Sequence, residues 1–510
     1  MKLYETFELS YYGTVLTENW ADINLYATFV NGEKSVSVKG FYDGDGIYKI
    51  RFLPMEPGLW HWTVSGIVTD EGEESCEASE SCGPVRAKGT HFAYEDGKVF
   101  HPFGTTVYAL IHQDEALIER TMQTLSEAPF NKIRICVFPK HYDYNHNEPR
   151  FYAFEKCENG SWDPCRPTIL FWQTLEKYIV HLGEIGLQVD LILFHPYDRW
   201  GFDGMGFEKD KIYLDYLIRR LAAFPNIWWS LANEYELCKR SEEEWFAIER
   251  YIAGNDPYQH LLSCHNIFKI WDAKRPFTTH ASIQSKSFHR LGDWVRRIGK
   301  PVMLDECCYE GNIEHFWGCI SAREMTRRFW RCIASGAYCT HGETYYSDDE
   351  ILWWSRGGEL KGDSALRIAF CREVVESLPG HFEKEESFYD KMISLKGKSD
   401  VERETILSRL EETPRRMIQA FLDSGENLED ARAAESAWYG HIGDEVILHF
   451  YDTRPIARET IHLPEGKKYR IEILDTWNMT RKTIARDVSG EYTVILPGRE
   501  DMALLAIQTQ

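Results

Sequence analysis

The chain runs on two rhythms. Over residues 20–66, apolar positions recur at every second residue in the short runs INLYATFV, KSVSVKGFY, DGIYKIRFLP and GLWHWTVSG. The turn pairs Asn31-Gly32, Asp43-Gly44 and Pro57-Gly58 separate them. Period-two alternation cut by turn dipeptides predicts antiparallel strands with one buried face, the signature of a β-sandwich. That region is assigned to residues 1–88, with 70–82, rich in Glu, Ser and Gly, expected to be a solvated loop. A hairpin centred on Asp96-Gly97 is expected next, in FAYEDGKVFHPFG, because that dipeptide supports the tight turn.

The second rhythm begins there. Apolar runs of five to eight residues alternate with helix-period segments: TTVYALI, KIRICVF, QVDLILF, IWWSLA, LLSC, FTTHAS, VMLDE and AYCTH are the runs. Amphipathic stretches such as ALIERTMQTLSEA, LFWQTLEKYIVHLGEIG and KIYLDYLIRRLAAF lie between them, and only the gap between the fifth and sixth runs lacks a clear helix. Alternating strand and helix signals predict βα units on a parallel sheet. Eight strand candidates predict a (β/α)8 TIM barrel over residues 89–385. A doubly wound open sheet is the competing architecture, but no GxGxxG follows the first strand. Residues 386–432 form a charged, partly helix-periodic connector, and alternation returns over 433–510, predicting a small C-terminal β-sandwich. The fold class is therefore α/β, a barrel flanked by two sandwiches. The length, 510 residues, suits roughly three domains of about 150 residues.

Charge narrows the partners. Eighty acidic against 58 basic side chains leave a net charge of −22. That argues against nucleic acid and anionic membranes, which both require a cationic footprint. No run of 18 apolar residues occurs, and MKLYETFELS carries no signal-peptide core, so a cytoplasmic location is expected. Thirteen cysteines, an odd number without CxxC, fit a reducing compartment and not structural zinc. Seventeen tryptophans supply core, and indole faces also stack on sugar rings.

Candidate chemistry sits after the apolar runs, because polar residues at the C-terminal ends of barrel strands face the active-site mouth. The runs deliver Tyr108, Arg134, His195 with Asp198 and Trp200, Asn233-Glu234, His280, Glu306 with Tyr309, and His341 with Glu343. Glu234 ends run four and Glu306 ends run seven, so they stand across the mouth from each other. Alternation puts Asp305 and Glu306 on opposite sides of the sheet, leaving Glu306 facing the mouth. Two carboxylates about 5–5.5 Å apart are the arrangement of a retaining glycosidase. Mutual repulsion keeps one of them protonated for the acid role.

Asn-Glu after a buried fourth strand, with a second Glu closing the seventh, resembles clan A of the glycoside hydrolases. FHPYDRWGF, PNIWWSLANEYE and HGETY are similar to the apiosidase-like barrels of that type, and residues 40–66 resemble the sandwich that precedes many of them. The resemblance implies Glu234 as acid/base, Glu306 as nucleophile, Asn233 on the sugar 2-hydroxyl and Arg134 orienting the nucleophile. It departs at strand eight, where Thr340-His341-Gly342-Glu343 stands in place of a tryptophan. The expected function is a retaining O-glycoside hydrolase, exo-acting on oligosaccharides or small glycosides, with no cofactor and no metal; a homo-oligomer is compatible. The competing readings are an inverting glycosidase, a carbohydrate-binding protein on an inactive barrel, and a metal-dependent enzyme using His195, His280 and His341.

Overall fold

The computed structural model describes residues 1–425 and 427–509. They form two units: Met1–Gln284 with Ile298–Ala322 and Cys339–Ala365, and Ser285–Arg297 with Arg323–Tyr338 and Leu366–Gln510.

The first unit opens with two facing antiparallel sheets. One contains Leu25–Asn31, Lys34–Lys39, Gly58–Gly66 and Asp70–Cys76; the other contains Phe7–Tyr12, Phe41–Tyr42 and Ile47–Phe52. Alternation works as expected: Leu25, Ala27 and Phe29 are buried, while Tyr26 and Thr28 are exposed or partly so. Phe29 stacks on Phe52 at 4.0 Å, and Trp60 closes the cluster. The expected loop at 70–82 is overturned in its first half. Asp70–Cys76 pairs with Gly58–Gly66 along its length, with only Cys76 buried. It is an edge strand whose charged side chains keep other edges from adding to it, and that polarity disguised it.

The barrel strands are β1 Phe103–Thr106, β2 Lys132–Cys136, β3 Gln188–Phe194, β4 Ile227–Ala232, β5 Leu262–Ser263, β6 Ala281–Gln284, β7 Val302–Glu306 and β8 Tyr338–His341. Their order in the sheet is β5-β4-β3-β2-β1-β8-β7-β6. A single parallel bridge, His265 to Ser282, joins the two ends and closes the ring. Strands β2, β3 and β4 are buried at every residue, as parallel strands covered on both faces must be. Helices α1 Glu115–Glu127, α2 Ile169–Glu184, α3 Phe207–Leu221 and α4 Glu242–Asn255 follow β1 to β4. Asp114 caps α1, and Ser241 with Glu244 forms a capping box on α4. Among the described residues no helix lies between β5 and β6. The expected hairpin pairs His91–Tyr94 with Val99–Phe100 and puts Phe92 and Phe100 against Trp228.

A buried ion network ties the N-terminal sheets to α2 and α3. Arg51 lies 2.7 Å from Glu176, Arg220 lies 2.5 Å from Glu176, and Arg220 reaches Asp43 at 2.6 Å. Burial opposes charge on Glu176, but Arg220 and Arg51 overcome it and hold the carboxyl down at about 2.

In the second unit, the 386–432 stretch is four short helices, Phe388–Lys396, Asp400–Leu407, Glu412–Asp423 and Leu428–Ala433. They close on Met392, Leu395, Leu407 and Leu428. The C-terminal strands form a six-stranded and a two-stranded sheet over 383–509. Arg327 and Arg331 of the Ala322–Ala334 helix pair with Asp501 and Asp452. Among the described residues no helix is long and apolar enough to cross a membrane.

Candidate active site

Glu234 and Glu306 stand at the C-terminal ends of β4 and β7 and are both nearly buried. How Glu306 arrives there differs from the expectation. Between β6 and β7, Ile283 pairs with Leu304 but Gln284 pairs with Glu306, so β7 carries one extra residue. This bulge suspends alternation. Asp305 therefore also points inward, one layer down, accepting from Lys132 Nζ at 2.7 Å, Ser282 Oγ at 2.6 Å and Thr340 Oγ1 at 2.8 Å. Asp305 is structural, and Glu306 above it is free to face the mouth.

Glu306 Oε1 accepts a hydrogen bond from the Tyr108 hydroxyl and lies 3.7 Å from Arg134 Nη1. Arg134 also donates to Asn233 Oδ1 at 3.1 Å and to the Tyr108 hydroxyl at 3.3 Å. Tyr108, Arg134, Asn233 and Glu306 are thus one hydrogen-bonded group, and Tyr309 joins it with its hydroxyl 3.4 Å from that of Tyr108. Gly342 backs the Tyr309 ring so closely that a Cβ there would stand 2.1 Å from it, so any larger residue would displace the ring.

Glu234 adopts a left-handed backbone (φ 50°, ψ 56°) as the chain leaves β4 for a short turn at Tyr235–Leu237. Such a conformation in a non-glycine residue is strained and persists where the surroundings impose it. Asn233 N donates to Phe194 O and Tyr235 N donates to His265 O, both at 3.0 Å, fixing the peptide on each side. The carboxylate accepts from the Tyr197 hydroxyl. With its amide oriented to satisfy both neighbours, Gln284 donates to Glu234 Oε1 at 3.0 Å and to Asn266 O at 3.2 Å. Burial, reinforced by the charge of Glu306, pushes Glu234 up to about 7.

A lysine completes the mouth. Lys140 Nζ lies 3.7 Å from the centre of the Tyr108 ring, 4.4 Å from Tyr197, 5.1 Å from Trp354 and 5.7 Å from Tyr142. Burial pushes its ammonium down, and Cys136, Glu306 and Glu234 counter that. Trp354 comes from the short helix Trp353–Arg356 after β8, so an indole does reach the site from this part of the chain although β8 itself carries none.

The other candidates fall into three places. His195 and Asp198 serve the β3 loop: His195 Nε2 meets Phe138 O at 3.1 Å, and Asp198 accepts from the backbone of Trp200, Gly201 and Asp203. Trp200 is half-buried on that loop and donates to Glu148 at 2.9 Å. His280 is at the wrong end. Strand β6 begins at Ala281, so His280 packs against Phe92 and Trp228 at the barrel's N-terminal side. The residue that really ends β6 is Gln284. His341 stacks on Phe130 and meets Thr105, away from the carboxylate pair.

His341, Glu343 and Glu310 gather outside the mouth with ligand atoms within 4.8 Å of one another. The two carboxylates accept from the backbone nitrogens of Lys361, Gly362, Asp363 and Ser364 at 2.7–3.3 Å. A Cβ on Gly362 would stand 2.2 Å from Glu310 Oε1. The arrangement clasps the 361–364 segment. The three histidines of the metal-dependent reading do not converge on one point.

A cavity of about 1220 Å³ opens elsewhere, lined by Glu8, Asp43, Arg51, Glu176, Gln188 and Asn226 among others. Gln188 starts β3 and Asn226 precedes β4, so this cavity lies at the end of the barrel away from Glu234 and Glu306. There Arg51 pairs with Glu8 and Glu176, and Lys49 pairs with Asp43, and this cavity is separate from the carboxylate pair at the mouth.

The residues missed from the sequence are Gln284, Tyr142 and Trp354, while Tyr197 and Lys140 follow the third and second runs but carry no stated role there. The first three carried no signal.

A family described as "Apiosidase-like, catalytic domain" matches residues 86–394. Two families each described as a domain of unknown function match residues 1–66 and 436–506. Among solved structures, a candidate glycoside hydrolase from Bacteroides vulgatus ATCC 8482 is 31% identical, covers 100% of this chain and 99% of its own, and superposes with a TM-score of 0.85. A glycoside hydrolase family 5 protein from the same organism is 14% identical over 84% of this chain and 94% of its own, with a TM-score of 0.60, and shares the fold. No curated protein matches the chain.

Proposed function

The chain belongs to the apiosidase-like family and is a glycoside hydrolase, and from that premise we propose that it cleaves O-glycosides with retention of configuration through Glu234 and Glu306. The observation that carries this reading is the asymmetry of the two carboxyls. Glu306 is held by the Tyr108 hydroxyl and lies beside Arg134, while Glu234, buried and facing the charge of Glu306, is raised to about 7. One group is poised to attack and the other to donate a proton.

In the first step Glu306 attacks the anomeric carbon, and Glu234 gives its proton to the departing oxygen. In the second, Glu234 takes a proton from water, which attacks the same carbon and releases Glu306. Asn233, held by Arg134, would bind a hydroxyl beside the nucleophile. The depth of the pair supports exo action on a terminal sugar, and thirteen free cysteines support a reducing compartment.

The test is hydrolysis of aryl glycosides of several sugars in both anomers by wild type, Glu306→Ala and Glu234→Ala, with the first-formed anomer followed by NMR. Retention in the wild type, an inactive Glu306→Ala, and azide rescue of Glu234→Ala as a glycosyl azide of retained configuration are expected. Inversion, or full rates in both variants, would overturn the assignment.

A further inference from the structure

Three buried cations lie along β2 and just beyond it, Lys132, Arg134 and Lys140, and among the described residues only the first two have anionic partners. Lys132 lies 2.7 Å from both Asp190 and Asp305. Arg134 lies 3.6 Å from Asp190 and 3.7 Å from Glu306. Lys140 is 5% exposed, and among the described residues its ammonium has neither a hydrogen-bond acceptor nor an ion pair. It has ring faces instead, four of them. Ring faces stabilise a cation but accept its N–H bonds poorly, and a buried charge without acceptors is costly.

Its position relative to the reacting groups is defined by those rings. The Tyr108 hydroxyl bonds Glu306 and the Tyr197 hydroxyl bonds Glu234. Lys140 lies closest to these two rings, and Glu306 and Glu234 both act on its charge, so it stands beside the catalytic pair where the sugar must sit. A general charge-balancing role would be met by a direct ion pair with either glutamate, as Lys132 makes with Asp305; Lys140 makes none. With Glu234 protonated at the start of the cycle, Lys140 offers donors that the protein itself leaves unused.

We infer that Lys140 is a specificity residue that binds a singly charged anionic group on the sugar held at the catalytic pair, a hexuronate carboxylate or a sulfate ester. This deepens the glycosidase reading and rests on it for the placement of the sugar. A single caged ammonium, with no second unpaired cation beside it among the described residues, suits a monoanion better than a phosphate dianion, which calls for several donors.

Calorimetric binding of D-glucuronate, D-galacturonate, D-glucose, D-galactose and glucose 6-sulfate to wild type, Lys140→Met and Lys140→Arg tests it without hydrolysis. Wild type is expected to bind an anionic sugar roughly 10- to 100-fold more tightly than its neutral counterpart. Lys140→Met loses that ratio and Lys140→Arg recovers part of it. A hexuronate preference identifies the carboxylate, and a preference for the sulfated sugar alone identifies the ester. Equal binding of charged and neutral sugars, no measurable binding of any anionic sugar, or a ratio that survives in Lys140→Met overturns the inference. Aryl uronides and their neutral counterparts, run in parallel, separate the two levels. Turnover of neutral glycosides with no anion preference leaves the hydrolase standing and removes the Lys140 role. Anion-selective binding with no turnover of any glycoside does the reverse.

Discussion

The barrel carries buried carboxylates at both ends, and they behave oppositely. At the seam with the N-terminal sheets, Glu176 is enclosed by Arg51 and Arg220 and sits at about 2. At the mouth, Glu234 is bounded by the Tyr197 hydroxyl, the Gln284 amide and a second carboxylate, and sits at about 7. Burial is nearly the same in the two places. What differs is the neighbour: two guanidiniums in one, a like charge in the other. The seam spends its charges on holding two layers together, whereas the mouth keeps its charges incompletely matched, and incompletely matched groups are the ones that can exchange protons with a substrate.

The comparison breaks most sharply under substitution. Glu306→Ala is expected to lower kcat/KM by on the order of 10⁴-fold or more. Glu234→Gln should cost roughly 10²- to 10⁴-fold on substrates with poor leaving groups. It should also abolish the fall in wild-type activity as pH rises through about 7, a limb that kinetics from pH 5 to 9 would reveal. Glu176→Gln should do the converse, costing about 3–5 kcal/mol in urea unfolding because it strands two buried guanidiniums, with kcat near the wild-type value.

The pH dependence of stability sharpens the contrast further. Glu176, lowered from 4.5 to about 2, contributes roughly 3 kcal/mol above about pH 4.5 that is lost as pH falls toward 2. Glu234, raised from 4.5 to about 7, contributes a similar amount below about pH 4.5 that is lost as pH climbs to 7. Replacing Glu234 by Gln should therefore stabilise the protein at pH 8 and make little difference at pH 4, read as the difference between two unfolding midpoints. The smallest expected effect is that of Tyr197→Phe. Its hydroxyl lowers the Glu234 value, so the basic limb of the rate profile should move upward by a fraction of a pH unit, and a downward move would contradict the placement.

Much of this was legible in the chain. Runs of Val, Ile, Leu and Trp fixed the barrel, and Asn233-Glu234 and Glu306 announced themselves by following such runs. The failures have physical causes. FTTHAS suggests a sixth strand ending near His280, but the strand is Ala281–Gln284; a short run with Thr-Thr-His at its centre gives no frame. The alternation argument for Asp305 and Glu306 failed because a bulge is invisible to a period-two count. Trp354 and Tyr142 reach Lys140 from connecting segments, and segments without a period give no direction to their side chains. Asp70–Cys76 escaped notice because an edge strand is held by its backbone and not by an apolar face.

Among the described residues the ring of eight strands is joined between β5 and β6 by one parallel bridge, His265 to Ser282, with hydrogen bonds from Thr279 to Leu262 and between Asn266 and Gln284, and Gln284 stands two residues beyond the bridge. In mechanical terms this is a clasp beside the instrument it steadies. Segments with few backbone bonds open locally before the whole fold does. Warming should part β5 from β6 first and take the Gln284 amide away from Glu234 while the remaining strands stay paired. Catalysis would then fade at a temperature below the melting point, reversibly on cooling, and amide exchange at Ser282–Gln284 would quicken over the same interval. On that expectation the enzyme's working ceiling is set by two short strands and not by the strength of its core.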